Sequence, residues 1–258
     1  MEEDLWRNAG MGRVEEVREI LRMNPTLNVN WKIQNENGYT VLRIACANDC
    51  DSVVSLLLAH PDIDVNQKDQ NGSTTFKWAC AGGHLSCFRL LLRDPRVKVN
   101  EPDKFGFTPL WRAAHDGHFD VIQWWLASGR EMDLGTPGDP RNDPVAVANK
   151  RGHTDVVTLL ERFKENPEET RRAMRVKLGW YNEAAAEMFA LVVFVSDGLL
   201  QIKDTATPSP AARFFAIASQ LPLELQMLLC FRQVGSDKEI IPGKESEVAF
   251  KELARRLW

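Results

Sequence analysis

The chain has no long hydrophobic run. Its most apolar stretch, Met188 to Val195 (MFALVVFV), is bounded by Glu187 and Asp197. That is far short of the roughly 20 residues an α-helix needs to cross a bilayer, so no membrane partner is expected. Positive charge is not in excess either, since 32 Lys and Arg stand against 36 Asp and Glu, a net charge of −4. Binders of duplex nucleic acid normally carry a basic face to neutralise phosphates, so nucleic acid is not an expected partner. Cysteine is sparse and odd in number: Cys46, Cys50, Cys80, Cys87 and Cys230. The opening, MEEDLWRN, is acidic and unlike a secretory signal. Together these features point to an intracellular chain with reduced thiols, in cytoplasm or nucleus, and exclude a disulfide framework.

Catalytic signatures are missing as well. The sequence contains no G-x-G-x-x-G, G-x-x-x-x-G-K-[ST], H-E-x-x-H or G-x-S-x-G. The stretch from Pro242 to Ser246 (PGKES) resembles the end of a phosphate loop, but Lys238 stands where its upstream glycine belongs. Cys46 and Cys50 have a spacing a metal could use on a helix. No second Cys or His pair at zinc spacing supports them, and small buried residues are the plainer reading. One stretch invites a chemical reading: HDGHFD, His115 to Asp120, holds two histidines and two aspartates.

A repeat dissolves most of that stretch. Gly38, Gly72 and Gly106 are 34 residues apart, as are Thr40, Thr74 and Thr108, and Ala45, Ala79 and Ala113. A Val-Asn pair closes successive units at Asn30, Asn66 and Asn100. His84 and His118 keep the same interval, and His153 follows 35 later, each after a glycine and before an apolar stretch. His118 therefore holds a structural slot, Asp116 and Asp120 are ordinary helix-surface positions, and His115 does not recur. Within a unit, glycine supplies a turn, threonine a helix cap, and two short helices follow. Val121, Ile122, Trp125 and Leu126 lie on one face of the second helix. No unit can bury that face alone, so units must stack.

The pattern resembles the ankyrin repeat, most clearly at Gly106, Thr108-Pro109-Leu110, Ala113-Ala114 and Gly117-His118, and the resemblance covers about residues 1–163. It implies an all-α ankyrin solenoid of about five units, the terminal ones degenerate. Departures occur where the family has its helix-starting His, here Arg43, Lys77 and Trp111, and where Asp49-Cys50 replaces Gly-His. Loss of those side-chain hydrogen bonds between units implies modest stability. Residues 164–258 leave the repeat and read as a small domain of five helices docked on the last unit, with Asn182 and Ser246 as caps.

Resemblance to ankyrin proteins implies a non-catalytic module that binds a partner protein, with no cofactor and no metal, and a monomeric chain is expected. Carried onto this sequence, the turn tips are Glu36, Asn37 and Tyr39, then Gln70, Asn71 and Ser73, then Lys104, Phe105 and Phe107. The concave helix positions are Ala47 and Asn48, Ala81 and Gly82, His115 and Asp116. Phe105 and Phe107 stand out, with Trp111 and His115 one helical turn apart beyond them. Exposed rings suit interface anchors; packing of Phe105, Phe107 and Trp111 on neighbouring units is the competing reading. Trp125 reads as core. In the tail, LPLEL from Leu221 resembles the start of an F-box, which implies the alternative of a ubiquitin-ligase substrate receptor using Leu221–Val234. Gln226 occupies the position where elongin binding would place leucine.

Overall fold

The computed structural model describes residues 1–33, 38–139, 141–201, 209–236, 241 and 243–257. The proposed tips Glu36 and Asn37 lie outside these. Among the described residues there are fifteen helices and no strand, with one isolated bridge between Lys32 and Thr40. Two compact units divide after Met174.

In the first unit, ten helices form five pairs: α1 and α2 (Glu2–Gly10, Val14–Met23), α3 and α4 (Val41–Ala47, Asp51–Leu58), α5 and α6 (Thr75–Gly82, Leu85–Arg93), α7 and α8 (Pro109–Asp116, Phe119–Ser128), α9 and α10 (Pro144–Arg151, Thr154–Glu165). The first helices of successive pairs stack in one row and the second helices in another. Thr40, Thr74 and Thr108 start α3, α5 and α7, each side chain accepting from the backbone N–H three residues on. Such caps contribute about 1 kcal/mol each. Asp143 holds the threonine slot in the fifth pair and accepts from the N–H groups of Val145 and Ala146. The core between the third and fourth pairs is aromatic. Phe76, Phe88 and Trp125 are fully buried, with centroids 5.1 to 6.0 Å apart.

The Gly-His dipeptide acquires a physical reason. Gly83 and Gly117 end their helices with φ of 66° and 73°, and a Cβ on either would come within 2.5 Å of the next unit's histidine ring. That ring, His118 or His153, donates from Nε2 to the carbonyl of Ala81 (2.8 Å) or His115 (3.1 Å) in the preceding unit. A second seam uses asparagine. Asn30, Asn66 and Asn100 each donate to a backbone carbonyl of the next unit (Asp62, Arg96, Glu131) and accept from a backbone N–H there (Asp64, Lys98, Asp133). Arg130 adds a third tie, its guanidinium donating to the carbonyls of Leu92, Asp94 and Val97.

Helix α11 (Pro167–Lys177) spans the division between the units. In the second unit, α12 (Trp180–Ser196) packs against α13 (Pro210–Ala218), α14 (Leu223–Gln233) and α15 (Gly243–Leu257). Ala185, Ala186, Phe189, Ala190 and Val192 of α12 are buried with Cys230 and Phe231 of α14, and the small alanines admit close approach. Two expected caps are corrected. The α12 helix begins two residues before Asn182, because Gly179 in the left-handed region (φ 68°) starts a fresh turn there. Ser246 lies inside α15 rather than before it. Among the described residues no single helix is long and apolar enough to cross a membrane.

Candidate interaction site

The second and third turn tips are each organised by a preceding aspartate. Asp69 Oδ1 accepts from the N–H groups of Asn71 and Ser73 (both 2.9 Å), and Oδ2 accepts from Trp78 Nε1 (2.8 Å). Asp103 repeats the arrangement with Phe105 (2.9 Å) and Phe107 (3.0 Å). Each carboxylate also meets a cation from the first helix of the preceding unit. Arg43 Nε lies 3.9 Å from Asp69, and the Lys77 ammonium pairs with Asp103, all four side chains being buried. Burial holds both cations below their usual pKa range, and the facing aspartates oppose that shift.

Arg43 and Lys77 occupy the slot whose family histidine is absent. At these two positions an ion pair stands in place of the family's hydrogen bond, close for Lys77 with Asp103 and looser for Arg43 with Asp69. A buried pair adds little net stability but is costly to break on one side only. Arg43 is further held between rings, its guanidinium carbon 3.3 Å from the Tyr39 centroid and 4.2 Å from that of Trp78. In the fourth unit the slot is Trp111, and the corresponding position ahead is Pro137, which offers no charge. Stacking takes over: Trp111 lies 4.4 Å from Phe107 and 5.0 Å from His115, centroid to centroid.

His115 sits between two charged partners. Its Nδ1 is 2.6 Å from Asp116, and its Nε2 is 2.5 Å from Arg151 in the next unit. Arginine can only donate, so Nε2 is the acceptor and Nδ1–H donates to Asp116. Asp116 is also paired with Arg112 at 2.9 Å. Three of the four ring nitrogens of the HDGHFD stretch thus face Asp116, Arg151 and the Ala81 carbonyl. No group of three His, Cys, Asp or Glu side chains fit to hold a metal occurs among the described residues.

A cleft of about 140 Å³ opens between the third and fourth units, and it gathers Asn71, Ser73, Phe105, Phe107 and Trp111. These five do not behave alike. Phe105 is 58% exposed and Asn71 exposed, whereas Ser73 and Trp111 are buried and Phe107 is half-buried. Tyr39 and Asn48 fall outside the cleft, and the Asn48 amide is tied to the Gly10 carbonyl at 2.7 Å. His115 reaches the cleft through Trp111, and Asp116 through Arg112. Sequence reasoning missed four lining residues, Lys77, Trp78, Asp103 and Arg112. The signal existed for two of them. Asp69 and Asp103 are 34 apart, and each follows its opposite charge, Arg43 or Lys77, by 26 residues.

The repeat geometry agrees with comparison against known families. A family model described as ankyrin repeats (3 copies) matches residues 9–103 and 61–137. The chain belongs to the ankyrin repeat family. No curated protein sequence matches it. Ankyrin repeats are generally protein–protein interaction modules, and the family is typically non-catalytic. In this ankyrin array the cleft lies where turn tips meet first helices, and its rim carries the most exposed aromatic residue of the described chain.

Proposed function

We propose that the chain is a non-catalytic interaction module and that it holds a partner protein in the cleft between the third and fourth ankyrin units. The observation that carries this reading is Phe105, a large apolar side chain left 58% exposed at the rim of a cleft floored by Trp78 and Trp111. An exposed ring beside a preformed cleft is typical of an interface anchor, because burying it on binding recovers the hydrophobic term that the free chain forgoes. Phe105→Ala in the full-length chain tests this. The variant is expected to keep the wild-type melting temperature and to lose, in affinity capture, the partner that the wild type retains. Retention of that partner at wild-type yield overturns the reading. Phe107 is a poorer probe, since its stacking on Trp111 makes stability and binding inseparable.

A second reading, a substrate receptor for a ubiquitin ligase, draws on Leu223 and Leu225, which are 53% and 47% exposed at the start of α14 beside Pro222. Recovery of a ligase scaffold by the full chain, lost on Leu223→Asp with Leu225→Asp, supports it. Absence of any scaffold protein sinks it.

A further inference from the structure

The first-helix face of the repeats is chemically graded. Its paired positions read Ala47-Asn48 in the second unit, Ala81-Gly82 in the third and His115-Asp116 in the fourth. The fifth unit, displaced by 35 like its histidine, brings Lys150-Arg151 to the same place. Small neutral groups in the second and third units thus give way to a His-Asp pair in the fourth and to two cations in the fifth. Carboxylates near that end are engaged. Asp103 is held by Lys77 and two backbone N–H groups, and Asp116 by Arg112 and His115. Lys150 and Arg151 are exposed, and among the described residues neither pairs with a carboxylate; Arg151 meets the His115 ring. Two positive charges without a carboxylate partner therefore stand in the unit that follows the aromatic-lined cleft.

The two features are joined. Ring steps of 4.4 and 5.0 Å lead from Phe107 through Trp111 to His115, and Arg151 lies 2.5 Å beyond the imidazole. Extended chain covers that span in about three to four residues. The cleft, at about 140 Å³, is close to the ~150 Å³ that accommodates a benzene-sized group, that is, one large apolar side chain.

We propose, building on the interaction-module reading, that the array takes an extended segment of its partner protein that seats one apolar side chain in the cleft and places a carboxylate three to four residues away against Lys150 and Arg151. The apolar anchor supplies most of the affinity. The carboxylate sets direction and discrimination, as charge complementarity at an exposed rim does.

Fluorescence anisotropy of the full chain against labelled decapeptides tests this. The peptides share a central phenylalanine or leucine and differ at the distal flank, which is Asp/Glu, Ser/Gly or Lys/Arg. The acidic flank is expected to bind at least tenfold more tightly than the basic one, with the preference weakening as salt is raised. Lys150→Glu with Arg151→Glu is expected to reverse the order, and Lys150→Glu alone to narrow it, a thermal melt confirming that each variant is folded. Phe105→Ala should weaken every peptide alike. The inference is overturned if binding ignores the flank, if the basic flank is preferred, if no peptide binds, or if an oligothymidylate probe binds as tightly as the acidic peptide. Partner capture that survives the charge-reversed variant would leave the interaction-module reading standing while this inference fails.

Discussion

Asp49 has a φ of 54° and is the one non-glycine among the described residues with positive φ. Gly83, Gly117 and Gly152 hold the same slot in later units without strain, because no Cβ opposes the left-handed region. Asp49→Gly is therefore expected to raise stability by about 0.5–1 kcal/mol, seen as a melting temperature a few degrees higher. A lowered melting temperature would show instead that the aspartate side chain earns its place through contacts. The slot itself was legible from the spacing of the glycines. What spacing could not reveal is where individual side chains point. His115 looked like a surface residue of a binding face, and its ring is fixed by Arg151, 36 residues away, a partner that no local pattern announces.

At the scale of elements, the asparagine seam shows how a unit is tied to the next. The Asn66 amide donates to the Arg96 carbonyl at 2.8 Å while its oxygen accepts from Lys98 N–H at 2.8 Å. The amide supplies both roles at once, from two separate atoms at the end of one short side chain. Asn66→Asp keeps the shape, removes the donor and sets a carboxylate oxygen against a carbonyl. The expected cost is about 1–2 kcal/mol, read by urea denaturation. An unchanged midpoint would mean that water serves the seam equally well. The recurrence of Asn30, Asn66 and Asn100 was visible in sequence, whereas its purpose needed coordinates. Helix existence in the central repeats was legible, because apolar periodicity agrees with the threonine caps of α3, α5 and α7. Starts in the second unit were less so. Asn182 and Ser246 are good caps by type, but the chain turns into α12 at Gly179 and into α15 at Gly243, ahead of both.

Over the whole molecule, the thiols give a common pH response. Cys80 and Cys87 in the ankyrin unit and Cys230 in the C-terminal unit are fully buried. Burial raises the Cys80 thiol, a hydrogen bond with Cys46 together with burial raises Cys87, and burial pushes Cys230 up to about 12. The unfolded chain ionises these thiols near 9, so above that pH it binds fewer protons than the folded chain and folding weakens as pH rises. The stability tied to them is complete below about pH 8 and falls by about 1–1.5 kcal/mol per buried thiol by pH 10. Thermal melts at pH 8 and pH 10 measure this. Cys80→Ala with Cys87→Ala should reduce the drop between the two, and an equal drop would assign it to other groups.

In the proposed function, partner protein contacts the cleft of the ankyrin array at Phe105. Replacing Phe105 by the photo-crosslinking analogue benzoylphenylalanine in the full chain keeps an aromatic ring at that position and places a reactive ketone at the rim. A matched chain carries it at Ile217, an exposed position of α13 in the C-terminal unit. Illumination of the captured complex is expected to give a covalent adduct with the partner from position 105 and none from position 217. Adducts from position 217 alone would contradict the account.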